Sequence, residues 1–126
     1  MSSAKNACKI AILKLEACAL MCEKHVKATA SKKDCIQPAK DAIAASKQVI
    51  AECRLHIKNC DSAPCKALCS ASIKAAEKAV EKCTACIDAS GGMGSDSDCM
   101  IVCKDCAIAC RASLKACKEC SEKMCS

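Results

Sequence analysis

Seven pairs of cysteines stand three or four residues apart: Cys18/Cys22, Cys65/Cys69, Cys83/Cys86, Cys99/Cys103, Cys103/Cys106, Cys106/Cys110 and Cys117/Cys120. On a helix, residues at those spacings share a face, and two thiols lying side by side on it rarely reach disulfide geometry. The chain carries 17 cysteines, an odd number that cannot be fully paired within one copy. The spacing therefore predicts reduced thiols, and thiolates in such numbers are ligands for soft metal ions.

Two other chemistries use cysteine in this pattern. Cys83-x-x-Cys86, Cys103-x-x-Cys106 and Cys117-x-x-Cys120 match a redox dithiol. Such a pair reacts when one thiol is exposed at a helix N-terminus, where its thiolate is stabilised. Mid-helix burial works against that, and no His or carboxylate constellation recurs beside the pairs for acid–base work. The chain is accordingly not expected to be an enzyme. Cysteine also serves as a small buried hydrophobe. Burying a Leu stabilises by roughly 1.5–3 kcal/mol, so a core chosen for stability alone would not take sulfur at so many places.

Ligand type and charge select among metals. Structural zinc takes four thiolates, or two thiolates and two imidazoles, and an all-thiolate site carries two net negative charges. Several of these inside one domain would bury uncompensated charge. Iron–sulfur clusters need four thiolates converging from a wrapping loop, whereas Cys99, Cys103, Cys106 and Cys110 run along one continuous face. Cu(I) accepts two or three thiolates, and bridging sulfurs let neighbouring ions share ligands. Deprotonating every thiol carries the formal charge from +6 to −11, and one monovalent ion per thiolate restores it. The expected cofactor is Cu(I), with multiple ions per chain. A zinc or general soft-metal thiolate buffer of metallothionein kind is the alternative, although metallothionein-like chains lack the persistent periodicity seen here.

The elements that position these thiols follow from the rest of the composition. The 126 residues include no Phe, Trp or Tyr and only three Gly and two Pro. They suffice for one domain, 1–126, whose interior is Ala and sulfur. Ala, Lys, Glu and Ile between breaker signals predict four helices, at about 4–30, 35–59, 63–89 and 97–125. Asp34 is the expected N-cap of the second, and the Asp61-Ser62-Ala63-Pro64 turn precedes the third. The Gly-rich 90–98 segment is the long connection. Helices of this length span about 39 Å, and short connections make neighbours antiparallel. The fold class is thus all-α, an antiparallel up-down-up-down four-helix bundle with a cysteine-lined core.

Each helix shows one inward stripe in steps of three and four. The fourth reads Cys99, Cys103, Cys106, Cys110, Ser113, Cys117, Cys120, Met124. Threaded antiparallel, the stripes place Cys8, Cys53, Cys60, Cys65, Cys69, Cys117, Cys120 and Cys125 at one end. Cys18, Cys22, Cys35, Cys83, Cys86, Cys99, Cys103, Cys106 and Cys110 fall at the other. A thiol-poor waist of Ala11, Leu15, Ala42, Ser46, Ser72, Ala76 and Ser113 is expected between them.

Three other side chains are candidate ligands. His56 falls on the core stripe between Cys53 and Cys60. His25 follows Cys22 by three, and reads equally as a ligand at the loop end or as an exposed surface group. Met93, in Gly91-Gly92-Met93-Gly94, reads as a thioether contact for incoming copper or as a loop residue, while Met21 and Met100 read as packing. The lysines are scattered singly, apart from Lys32-Lys33, and there are no aromatic platforms, so nucleic acid is not an expected partner. No stretch approaches the ~20 apolar residues of a membrane span. As it stands the chain reads as cytoplasmic, and an exported protein with its leader removed is the alternative.

The run Cys99-Met100-Ile101-Val102-Cys103-Lys104-Asp105-Cys106-Ala107-Ile108-Ala109-Cys110, with Cys117 and Cys120 following, resembles the bacterial copper storage proteins, and the likeness in cysteine pattern extends over almost the whole chain. The resemblance implies copper storage and detoxification by many Cu(I) ions on core thiolates. It also implies a homo-oligomer, commonly a tetramer, one open end for copper, and a copper donor or acceptor protein as partner. Exported members of that family place methionines near the entrance and cytosolic members histidines; Met21, Met93, Met100 and His25 in this chain match neither pattern cleanly.

Overall fold

Alanine and long unbranched side chains lose little freedom in a helix, and their dominance here leaves helix as the favoured state almost everywhere. A computed structural model of the chain describes residues 3–91 and 96–124. It comprises α1 (Ser3–Val26), a short 3-10 turn (Lys32–Cys35), α2 (Ile36–Asn59), α3 (Ala63–Gly91) and α4 (Asp96–Lys123), with no strand among the described residues. The helices pack as a four-membered ring, α1 against α2 and α4, α3 against α2 and α4. Opposed contacts give the directions. Glu23 of α1 pairs with Arg111 of α4, and Arg54 of α2 with Glu77 of α3. On α3 and α4, Cys83 meets Cys110 while Ser72 meets Ala116. Each neighbouring pair is antiparallel, which is the up-down-up-down bundle.

The first helix stops at Val26, four residues before its expected end near residue 30. The stop is a Schellman arrangement: the Thr29 N–H donates to the Lys24 carbonyl at 2.8 Å and the Ala28 N–H to the His25 carbonyl at 2.9 Å. Ala28 takes the left-handed position at φ 61°, where glycine is the usual occupant. Asp34 does not cap α2 as expected. It lies in the 3-10 turn and its carboxylate accepts the Ser31 N–H at 3.0 Å, while Cys35 holds the N-cap position of α2. Pro38 falls within the first turn of α2, where its missing N–H leaves no helix bond unmade. Ser62 does cap α3, its hydroxyl accepting the Cys65 N–H at 3.3 Å.

The core inverts the ordinary rule of burial. Leu15 and Val49 are the largest fully buried side chains, and the next largest are cysteines. Meanwhile Leu13, Ile101 and Ile108 are 69%, 63% and 60% exposed. Aliphatic side chains that would gain most from burial lie outside, and thiols lie inside. The small interior residues let the helices approach closely enough that sulfurs meet across the bundle, as between Cys18 of α1 and Cys83 of α3.

Candidate metal centre

Heptad-like steps on four antiparallel helices bring thiols from different helices to one height, and the described cysteines other than Cys60 are buried. All the described cysteines are free thiols. All of their sulfurs except those of Cys69 and Cys117 gather, with two imidazoles, into five groups within each of which the ligand atoms lie within 4.8 Å of one another.

One group is the tetrad Cys18, Cys83, Cys106 and Cys110. Cys83 Sγ lies 3.5 Å from both Cys106 and Cys110, and Cys18 lies 3.8 Å from Cys106. One turn nearer the loop end is a second tetrad, Cys22, Cys35, Cys86 and Cys103. Here Cys86 Sγ is 3.6 Å from Cys103 and 3.8 Å from Cys22, and Cys103 is 4.0 Å from Cys35. Cys103 belongs also to a third group with Cys99 and His25, whose Nδ1 lies 3.2 Å from the Cys103 sulfur. These three groups contain all nine thiols expected at that end, and the two tetrads interact electrostatically, Cys106 acting on Cys22 and Cys86. His25, which the sequence left undecided, is buried among them.

The opposite end holds Cys8, Cys53 and Cys120 together, and separately His56, Cys60 and Cys65. Cys69 and Cys117 are buried beside the first of these: Cys69 interacts with Cys120 and Cys53, and Cys117 with Cys8. Between the two ends Ala11, Leu15, Ala42, Ser46, Ser72, Ala76 and Ser113 are all buried, and none of the five groups spans that waist. Ser72 donates to the Ala116 carbonyl at 3.2 Å, whereas the Ser46 hydroxyl has no hydrogen-bond partner among the described residues. Cys125 and Met93 lie outside the described residues.

Crowded thiols cannot ionise independently. In the first tetrad, hydrogen bonding from Cys106, together with Cys110, Cys22 and Cys83, favours a thiolate at Cys18 and lowers its pKa. Cys106 is correspondingly driven upward, chiefly by its hydrogen bond with Cys110. The same division separates Cys86, lowered chiefly by Cys103, from Cys22, raised chiefly by Cys103. Loss of solvent raises Cys69 from 9.0 to about 12, with the charge of Cys120 adding to it. Without a bound cation, neighbouring S–H groups favour negative charge at Cys18 and Cys86 and oppose it at Cys22 and Cys106. Further ionisation needs positive charge.

The protein supplies little of it. Among the described residues, the buried polar side chains are His25, Ser46, Ser72, Ser90 and Ser113, with no Lys or Arg. The arrangement is therefore suited to binding cations, with thiolate charge offset by the ions themselves.

The CxxC pairs show no exposed dithiol: Cys83, Cys86, Cys103, Cys106, Cys117 and Cys120 are all at most 1% exposed. No described helix is long and apolar enough to cross a membrane. Comparison with protein-family models, with curated proteins and with solved structures gives no match for the chain. The class that the fold and site define is a cysteine-lined four-helix bundle able to bind metal on thiolates.

Proposed function

We propose that the chain stores Cu(I), holding many ions on the thiolates of its core, in the manner of the copper storage proteins its cysteine pattern resembles. The observation that carries this reading is the set of nine buried thiols gathered at one end, two tetrads with S···S separations of 3.5–4.0 Å and Cys99 beside His25, with no buried Lys or Arg among the described residues. Bridged monovalent ions at about one per thiolate neutralise such a set, and shared sulfurs such as Cys103 suit bridging. A store, unlike a carrier or an enzyme, needs this capacity. Its partners would be a protein that delivers or retrieves copper and further copies of the chain, for which exposed Ile10, Leu13 and Leu20 on α1 offer apolar surface.

A zinc or general soft-metal buffer is the second reading, favoured by a specific feature. Four sulfurs ~2.3 Å from a central zinc lie roughly 3.8 Å apart, and both tetrads have separations near that value. Two four-thiolate zinc sites would nevertheless leave two negative charges each in a core lacking compensating cations.

The experiment is an anaerobic Cu(I) titration of the reduced protein against a coloured chelator, normalised to thiols because the chain has no aromatic residues. Native mass spectrometry with zinc accompanies it. A tight endpoint approaching the 17 thiols, with zinc limited to a few ions, is the result expected of a copper store. Saturation at a few Cu(I) ions, or displacement of copper by zinc, overturns it.

A further inference from the structure

A store must also release what it holds, and a two- or three-coordinate soft ion changes hands when an incoming ligand adds to it before an old one leaves. That requires a site whose ligands a foreign donor can approach. Four of the five candidate groups consist entirely of buried residues; the fifth, His56, Cys60 and Cys65, has two half-buried members. We propose that this trio is an exchange site at which soft monovalent ions pass between the thiolate core and an external sulfur or nitrogen donor. The inference rests on the storage reading and adds to it a route.

The local structure is suited to the task. His56 lies in the last turn of α2, and Cys60 is its extended C-cap. Cys65 sits in the first turn of α3. Only Cys60, Asp61 and Ser62 separate the two helices, so the turn itself brings the three ligand atoms within 4.8 Å. Ser62 fixes both sulfur-bearing residues: its N–H donates to Cys60 Sγ at 3.4 Å and its hydroxyl accepts from the Cys65 N–H at 3.3 Å. The peptide dipoles at the start of α3 favour negative charge at Cys65. One imidazole and two thiolates complete a three-coordinate site for a soft ion and leave one side open to a fourth ligand.

The trio also has a path inward. Cys69 is about one turn beyond Cys65 on the same face of α3, about 6 Å along the axis. Cys69 is fully buried and interacts with Cys120 and Cys53 of the buried trio. On α2, Cys53 likewise stands three residues before His56. An ion can therefore move from the half-exposed trio through Cys69 to Cys8, Cys53 and Cys120 by exchanging one thiolate at a time.

The test loads the full chain anaerobically with Cu(I) and follows the initial rate of transfer to bathocuproine disulfonate. The variant His56→Ala with Cys60→Ser should slow that rate about tenfold or more, while far-UV dichroism stays unchanged and capacity falls only by what one of 17 thiols supplies. Lys58→Ala, an exposed neighbour in the same turn that offers no soft ligand, should retain the wild-type rate. His56→Cys, which restores a soft ligand, should recover the rate lost in His56→Ala. An initial rate within about twofold of wild type in the double variant overturns the exchange site. So does slowing that His56→Cys fails to recover. Either result leaves the storage reading intact if the wild-type capacity is high, whereas a wild-type capacity of a few ions overturns storage first.

Discussion

His25 Nδ1 lies 3.2 Å from Cys103 Sγ, and that sulfur is at the same time 3.6 Å from Cys86 and 4.0 Å from Cys35. One thiol thus joins a four-sulfur group to a mixed group containing imidazole and Cys99. A bridging position is worth more than a terminal one, because removing it leaves two sites short of a ligand. Cys103→Ala should therefore lower Cu(I) capacity by more than Cys99→Ala does, and the titration endpoints of the two variants measure this. Loss of one buried sulfur should cost about 1 kcal/mol, comparable with removal of a methyl group from a packed core. Combining Cys99→Ala, Cys103→Ala and Cys106→Ala should leave helicity nearly intact while lowering capacity further. Collapse of the helical signal would mean that the thiols hold the apo fold together.

Cys69 sets part of the apo protein's stability in alkali. Its pKa rises from 9.0 to about 12 in the folded protein, first through burial and then through the charge of Cys120. The unfolded chain therefore loses this proton at lower pH than the folded one. Between those values the folded state binds more protons, so stability falls as pH rises. The reduced apo protein should lose stability between pH 9.0 and about 12, and Cys69→Ala should make that decline shallower. Anaerobic denaturant titrations at stepped pH measure the slope, and an equal slope in both proteins would remove Cys69 from the account.

Metal loading should release protons. Cys22, Cys103, Cys106 and Cys110 are held protonated by their neighbours and by burial, while Cys18 and Cys86 are favoured as thiolates. Binding to the protonated thiols displaces one proton per new thiolate. In weak buffer near neutrality, proton release per Cu(I) should be smallest for the first ions and approach one later in the titration. A constant ratio throughout would show that the tetrads hold no preformed thiolates.

Much of this arrangement was legible from spacing alone. The inward stripe of α4 from Cys99 to Met124, the division of thiols between two ends and the Ser and Ala waist all follow from the helical period and antiparallel threading, because a three-and-four repeat leaves a residue little choice of face. Two kinds of detail were not legible. Backbone hydrogen bonds end α1 at Val26 without the glycine that ordinarily signals a stop, and Asp34 serves the Ser31 N–H in a 3-10 turn that periodicity does not reveal. The fate of His25 depended on that same stop: at the end of a helix, spacing does not say whether a side chain turns inward, and the adjoining turn and α4 decide it. The grouping of His56 with Cys60 and Cys65 required the geometry of the α2–α3 turn, although Ser62 and Pro64 had marked its place.

The unusual end of α1 makes a prediction of its own. An alanine in the left-handed region carries a Cβ clash that glycine avoids. Against this stands the greater freedom that glycine gives the unfolded chain. Ala28, at φ 61°, should therefore gain about 0.5–1 kcal/mol on Ala28→Gly. Denaturant midpoints of the reduced apo protein check it. Destabilisation would mean that the Schellman turn is not held in solution.

At the waist, the Ser46 hydroxyl is buried without a hydrogen-bond partner among the described residues, on a helix whose neighbouring core positions are Ala42 and Val49. An unpaired hydroxyl loses its hydration on folding and recovers nothing, whereas alanine in its place has no such loss and a higher helix propensity. Ser46→Ala should therefore stabilise the apo protein by about 1 kcal/mol. Its Cu(I) capacity should not change, because no candidate ligand group includes Ser46. Both quantities come from the same protein preparation, one by denaturant titration and one by chelator competition. Greater stability at unchanged capacity would show that the waist is a structural divide between the two thiol sets. Reduced capacity would instead place a bound ion at the waist, and the two sets would then form one continuous store.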